Sequence, residues 1–247
     1  MKRLFIGDIH GLTGWEDLVY NAFTKFYDVV FLGDYVDSFH VKGEDQIENL
    51  EKIIELKKQY PKKVTLLLGN HDFAYIHGFA SISGFQFHHS ETFKRTFREN
   101  KELFDIAIGY YHHSTAKYTL VTHGGLTYKF WTRYIVSMFE NENSIIRKAF
   151  DNPEHEPIHK ILNSLAETET GVDLLWKVGS SRGGLGTPGP LWCDYSQDLL
   201  DDPHPDINQI VGHTPSISPR MHIQDDNFYI CIDDWGNKKV ASMIVDV

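Results

Sequence analysis

An α/β chain built from parallel βαβ units is what this sequence predicts, and three observations carry the prediction. Short continuous apolar runs alternate with helical stretches through the first third, and each run ends in a glycine-flanked polar segment. The chain is also 41% hydrophobic over 247 residues, enough for one full core. Leu4-Phe5-Ile6 leads into Asp8 and His10, and a helix is expected over residues 16–26. Val29-Val30-Phe31-Leu32 leads into Asp34, followed by a helix over residues 45–59 with Ile47, Leu50, Ile54 and Leu56 on its apolar side. Val64-Thr65-Leu66-Leu67-Leu68 leads into Asn70 and His71. Strands without alternation are buried on both faces. Each polar segment then falls just past the C-terminal end of a strand, where open α/β sheets bind their ligands.

The remainder is less regular. Residues 91–103 fit an amphipathic helix, with Phe93, Phe97 and Phe104 as its apolar residues. Residues 106–112 and 118–122 read as strands, the second delivering His123, and residues 143–150 and 157–167 read as helices. Residues 179–190 hold five glycines and two prolines and must form a loop, whose one cation is Arg182. Strands return over Ile207–Val211, 228–232 and 239–247. No linker divides the chain, so residues 1–247 are expected to form a single domain.

Thirty-four acidic residues against 24 basic ones leave a formal charge of -10. That balance argues against a large nucleic-acid footprint, which needs a basic face to neutralise phosphates. A phosphate substrate stays compatible if bound divalent cations reverse the sign locally. Cys193 and Cys231 stand far apart, in no metal-binding spacing, and are expected as buried free thiols. The apolar stretch before Gly7 is too short for a signal-peptide core, and no run is long enough to span a membrane. A reducing cytoplasm is therefore the expected compartment.

The chemistry lies in the glycine-flanked segments. Asp8 and His10 are two apart, so on an extended backbone their side chains point the same way, and Gly7 and Gly11 permit a tight approach to a ligand. A carboxylate with an imidazole suits zinc, manganese or iron better than calcium. Asp34 can bridge two ions through its two oxygens, while Asp37, three residues on, can hold the tautomer of an imidazole and stabilise its charged form. Asn70 offers a neutral oxygen. His71, its neighbour at a strand end, faces the opposite way, so Asn70 is assigned to metal and His71 to proton donation. His123 and His213 each end an apolar run and read as further ligands. The other histidines match no ligand spacing.

In order along the chain, Gly7-Asp8-Ile9-His10-Gly11, Gly33-Asp34-Tyr35-Val36-Asp37, Gly69-Asn70-His71-Asp72, Thr122-His123-Gly124-Gly125 and Val211-Gly212-His213-Thr214-Pro215 resemble the signature of the calcineurin-like metallophosphoesterases. Within them the resemblance is to the phosphoprotein-phosphatase branch, which reads GDxHG, GDxVDRG, GNHE, HGG and a late single His. It implies a four-layer fold, two mixed β-sheets flanked by helices, with a two-metal site at their C-terminal edge. Carried over residue by residue, it puts Asp8, His10 and Asp34 on the first metal. Asp34 bridges to the second, joined by Asn70, His123 and His213. A water shared by the metals is the implied nucleophile, and His71, oriented by Asp37, protonates the leaving oxygen. The implied cofactors are two divalent ions, manganese foremost, with iron, zinc, cobalt or nickel also suited to such a ligand set.

Two departures stand out. Ser38 occupies the place of the family's arginine after the Val-Asp pair, and Arg182 is the candidate replacement, since a planar guanidinium matches phosphate bidentately. Asp72 replaces Glu, as in the symmetrical dinucleoside tetraphosphatases, although those enzymes lack the partner aspartate that Asp37 supplies. The closing Val-Gly-His-Thr-Pro resembles compact phage and bacterial protein phosphatases. Three functions follow: a phosphomonoesterase acting on phosphoproteins or small phosphate esters, a hydrolase of dinucleoside polyphosphates such as diadenosine tetraphosphate, or an inactive binding module on the same fold. The complete ligand set argues against the last. Pro215, where nucleases and cyclic-nucleotide diesterases of the wider superfamily carry a second His, argues against those activities.

Overall fold

Runs of branched and aromatic residues in the first third pair as parallel strands, as their lack of alternation requires. The computed structural model of the chain describes residues 1–79, 82–112, 116–150, 152, 155–233 and 239–247. Strands β1 (Lys2–Ile6), β2 (Asp28–Phe31), β3 (Val64–Leu67) and β4 (Phe104–Asp105) run parallel, and β10 (Ser242–Asp246) pairs antiparallel with β1. The result is a mixed sheet of order β10-β1-β2-β3-β4. Leu4, Phe5, Ile6, Val29, Val30, Phe31, Leu66 and Leu67 are all buried, the mark of strands covered on both faces. Helix α1 (Trp15–Thr24) packs on β1 and β2, and α2 (Gly43–Gln59) on β3. The buried Trp15 indole ties the two helices together by donating to Asn49 Oδ1 at 2.9 Å.

Some helix details differ from the sequence expectation. On α2, Leu50 and Ile54 are buried as expected, but Ile53 joins them and Ile47 and Leu56 are half-buried. The buried stripe thus follows i, i+3, i+4 around Leu50 rather than the residues chosen by hydrophobicity alone. Helix α3 (Asn70–His77) was not expected at all. The helix expected over 91–103 stops at Glu99 as α4 (Ser90–Glu99), where the Asn100 side chain donates to Thr96 O at 2.8 Å and a single tight turn follows. Tyr75 of α3 packs against Phe93 and Phe97 of α4, with ring centroids 5.2 and 6.5 Å apart.

The second sheet has the order β5-β6-β7-β9-β8, built from β5 (Ala107–His112), β6 (Lys117–Thr122), β7 (Ile207–Val211), β8 (Arg220–Gln224) and β9 (Asn227–Cys231). β5 is antiparallel to β6, while β6, β7 and β9 run parallel, so this sheet is mixed too. The stretch expected as one strand from residue 106 begins just after β4, which belongs to the first sheet. β8 escaped prediction because Arg220, His222 and Gln224 leave little apolar signal; Asp225 and Asp226, both with positive φ (49° and 65°), make the tight turn into β9. The helices of this part are α5 (Tyr128–Phe130), α6 (Ser137–Phe139), α7 (Ile145–Ala149), α8 (Ile158–Leu165) and α9 (Glu169–Trp176). Asn163 on α8 accepts from Ile106 N and Ala107 N at 2.9 Å and donates to Ala107 O at 3.0 Å, fastening α8 to β5. Cys193 and Cys231 are thiols buried in a cluster with Tyr195, Leu199, Val211 and Tyr229.

Two mixed sheets carrying helices are the expected fold class. The described residues form two compact units, one of Met1–Asp105, Pro215–Arg220 and Ile232–Val247, the other of Ile106–Thr214 and Met221–Cys231. Among the described residues, no helix is long and apolar enough to cross a membrane.

Candidate metal centre

In the first unit, the segments after β1 and β2 are stitched together by backbone hydrogen bonds, and side-chain bonds tie in the segment after β3. Ile9 N and His10 N both donate to Asp34 O, at 3.0 and 2.7 Å, and Gly11 N donates to Tyr35 O at 2.9 Å. Glycine is required where these segments meet. Gly33 has φ +106°, and a Cβ on Gly69 would stand 2.0 Å from Asp34 Oδ1. His10, Asp34 and Asp37 hold positive φ values of 41°, 51° and 68°, a conformation that costs free energy in non-glycine residues and clusters at functional sites. The left-handed backbone at His10 corrects the expectation of an extended Asp8–His10 segment. The chain's turn, not strand alternation, brings His10 Nε2 to 4.0 Å from Asp8 Oδ2.

The His10 ring is preset for ligation. Its Nδ1 lies 2.7 Å from Val36 O, and because a carbonyl can only accept, Nδ1 carries the proton and Nε2 keeps its lone pair. That Nε2 is 3.8 Å from Asp34 Oδ2. Burial, the largest influence, lowers the His10 pKa despite the pull of Asp34, which favours the neutral ring that a metal needs. One ligand atom from each of His10, Asp34 and His71 lie within 4.8 Å of one another. Among them, the neutral His10 nitrogen and the Asp34 oxygen, 3.8 Å apart, suit a divalent transition ion.

Asn70 and His71 do not sit at a strand end. They open α3, with Gly69 as N-cap, so they diverge by the helical rotation between neighbours rather than by strand alternation. Both are buried. His71 Nδ1 donates to Asp37 Oδ2 at 2.9 Å, its Nε2 lies 3.9 Å from Asp34 Oδ2, and its ring stands perpendicular to that of His10 with centroids 5.0 Å apart. Burial alone would lower the His71 pKa, but Asp34, Asp37 and Asp72 together outweigh it and raise it, favouring the imidazolium. A cation on Asp34 would offset that residue's pull and leave Asp37 as the lasting partner.

Three further residues complete this half, and sequence reading assigned none of them a role. Buried Asp72 accepts from Asp34 N at 2.7 Å, Tyr35 N at 2.9 Å and Gly69 N at 2.9 Å, clamping the second and third segments in one carboxylate. The signal was legible as an acidic residue at the third position of a helix, the place of a capping box. Tyr75 Oη donates to Asp37 Oδ1 at 2.6 Å, and Gln86 N donates to the same oxygen at 3.3 Å. Burial and then Asp37 raise the Tyr75 pKa, so it stays a donor. Ser38 carries no charge to the site: its Oγ accepts from His40 N and Val41 N, both at 3.2 Å, and folds the following turn.

In the second unit, His123 follows β6 and His213 follows β7, both buried. Gly212 N donates to His123 O at 2.7 Å, and the two rings meet edge to face with centroids 5.0 Å apart. His213 has φ +63° and packs its ring perpendicular to Trp192, 5.7 Å away. Gly124 N and Gly125 N both donate to Pro190 O, at 2.8 and 3.2 Å, so the loop of residues 179–190 is bolted to the His123 turn. Arg182, in that loop, lies against the His213 turn: Nη2 donates to Thr214 Oγ1 at 3.2 Å and His213 O at 3.4 Å, and pairs with Asp194 Oδ2 at 2.9 Å.

A family model of calcineurin-like phosphoesterases matches residues 1–227. A Schizosaccharomyces pombe protein described as a serine/threonine-protein phosphatase is 41% identical over 71 residues, which are 27% of this chain and 21% of that protein. The chain thus matches about a fifth of that relative's length. Among solved structures, a cold-active protein-tyrosine phosphatase from a psychrophilic Shewanella is similar with a TM-score of 0.53 at 18% identity, covering 95% of this chain and 71% of that one. A serine/threonine phosphatase from Saccharomyces cerevisiae aligns with a TM-score of 0.48 at 20% identity over 94% of this chain and 67% of that one. At such identities the structural likeness to the Shewanella protein is one of fold.

Proposed function

Since the chain belongs to the calcineurin-like phosphoesterase family, and is thereby a metal-dependent phosphoesterase, we propose that it is a dinuclear-metal phosphatase hydrolysing phosphomonoesters. The observation that supports this reading most is the neutral His10 nitrogen facing the Asp34 carboxylate, with the His71–Asp37 pair beside them. Following the family pattern, Asp8, His10 and Asp34 would hold one ion, and Asp34, Asn70, His123 and His213 the other. When bound, the ions supply a water acidified to near neutrality and a positive clamp on the phosphoryl oxygens.

The chain's own residues do the rest. Val36 O fixes His10 with Nε2 as the ligand atom, and Asp72 holds the Asp34 loop rigid. His71 carries a proton on Nε2, next to the cluster, and gives it to the leaving oxygen; Asp37 stabilises the charged ring and keeps its orientation. Arg182 takes over the phosphate contact that the family's arginine makes at the position of Ser38; its place against the His213 turn supports that role. Residues 1–247 act as one domain, a reading supported by the family match, which runs through both units. The substrates are phosphoproteins or small phosphate esters. A hydrolase of dinucleoside polyphosphates is the second reading, favoured by Asp72 in place of Glu. Turnover of a phosphopeptide, a nucleotide and diadenosine tetraphosphate under one manganese condition tests the choice. Preference for the phosphomonoesters is expected, and preference for the last would overturn it.

A further inference from the structure

Beside the Asp37–His71 pair the first unit opens a cleft of roughly 650 Å³, within the usual range of small-molecule sites. One wall is the turn Ser38–Lys42 and the other the segment Ile82–Phe87. Two of its phenyl rings, Phe39 and Phe87, are 68% and 77% exposed. One exposed apolar side chain is ordinary, but two rings lining the same cleft form a patch that calls for an occupant.

Wall residues of the cleft are bonded to the proton-handling residues. Gln86 donates from its backbone N to Asp37 Oδ1 and from Nε2 to Ser38 O at 2.9 Å, so one residue joins both walls to Asp37. Gly84, at φ +74°, rests on the Asp37 backbone so closely that a Cβ would stand 2.3 Å from Asp37 O. Phe85 stacks on Tyr75 at 4.8 Å with an 11° tilt, and Tyr75 holds Asp37. Ser38, short where the family pattern has arginine, lines the cleft and brings no charge to it. The exposed Lys42 puts a cation at the rim of a chain whose net charge is -10.

We propose that this cleft is a substrate subsite that receives a planar aromatic group carried by the phosphate ester, gripped between Phe39 and Phe87 with Lys42 drawing in the anion. The assignment rests on the reading of His71 as the residue that serves a phosphate ester. Two sources carry such a ring, an aryl ester and a nucleotide base, and the ligands below separate them.

The test is isothermal titration of the manganese-loaded whole chain with phenylphosphonate, adenosine 5′-monophosphate and methylphosphonate. At least one ring-bearing ligand is expected to bind about tenfold tighter than methylphosphonate, and which one identifies the source. In Phe39→Ala/Phe87→Ala the gap is expected to shrink to about twofold or less. Both rings are exposed, so the variant keeps the core. Tyr20→Ala, which removes an equally exposed ring from α1, is expected to keep the gap. No gap in the wild type, or a gap that survives the double substitution, overturns the subsite. A wild type that shows the gap yet hydrolyses no ester removes the phosphatase reading and leaves the cleft assignment standing.

Discussion

At the scale of single residues, the division of labour between His10 and His71 follows from what surrounds each ring. Burial keeps His10 neutral, with Val36 O fixing its tautomer, whereas Asp34 and Asp37 outweigh burial and charge His71. A charged donor matters most where the leaving oxygen is a strong base. His71→Ala is therefore expected to lower kcat by about 10²- to 10⁴-fold on an alkyl phosphate and by much less on a nitrophenyl phosphate, with KM little changed. Equal losses on both esters would remove the proton from its assigned role. Arg182→Ala should weaken inhibition by inorganic phosphate several-fold; an unchanged inhibition constant would leave Arg182 to its contacts with Asp194, Thr214 and His213. That Asp8, His10, Asp34, Asp37 and His71 gather in one place was foreshadowed by glycine-flanked polar side chains just past apolar runs. Tyr75 and Gln86 were not, since nothing local marks a tyrosine or a backbone amide as the support of a distant aspartate.

At the scale of elements, the parallel strands of the first sheet were readable because continuous apolar runs admit few alternatives. Helix α3 was not, although it decides where His71 points. Its first turn is made of polar motif residues, which read as a loop until Asp72 is seen accepting from Gly69 N. Short helices such as α5 and α9 were lost for a similar reason. Their N-caps Thr127 and Thr168 bond Phe130 N and Gly171 N, but the segments are too brief for a periodic signal. The weight resting on Asp72 is measurable. Asp72→Ala strands three buried backbone N–H groups and is expected to cost about 3 kcal/mol or more in denaturant unfolding. Asp72→Glu, the residue of the family pattern, should cost less. A loss below about 1 kcal/mol in Asp72→Ala would show that the clamp does not hold the two segments.

At the scale of the whole molecule, a chain with net charge -10 gathers carboxylates and imidazoles around a region that cations would neutralise. Binding ions to the folded state alone adds stability of about 2.7 kcal/mol at a hundredfold excess over Kd. Removing metal with a chelator is thus expected to lower Tm by several degrees, and readded manganese to restore it. The central claim is tested most directly by steady-state hydrolysis of an aryl phosphate, with the whole chain assayed as purified, after chelation, and after manganese is returned. Turnover that vanishes on chelation and recovers with manganese is the predicted result, and undiminished turnover in the chelated protein would contradict the assignment.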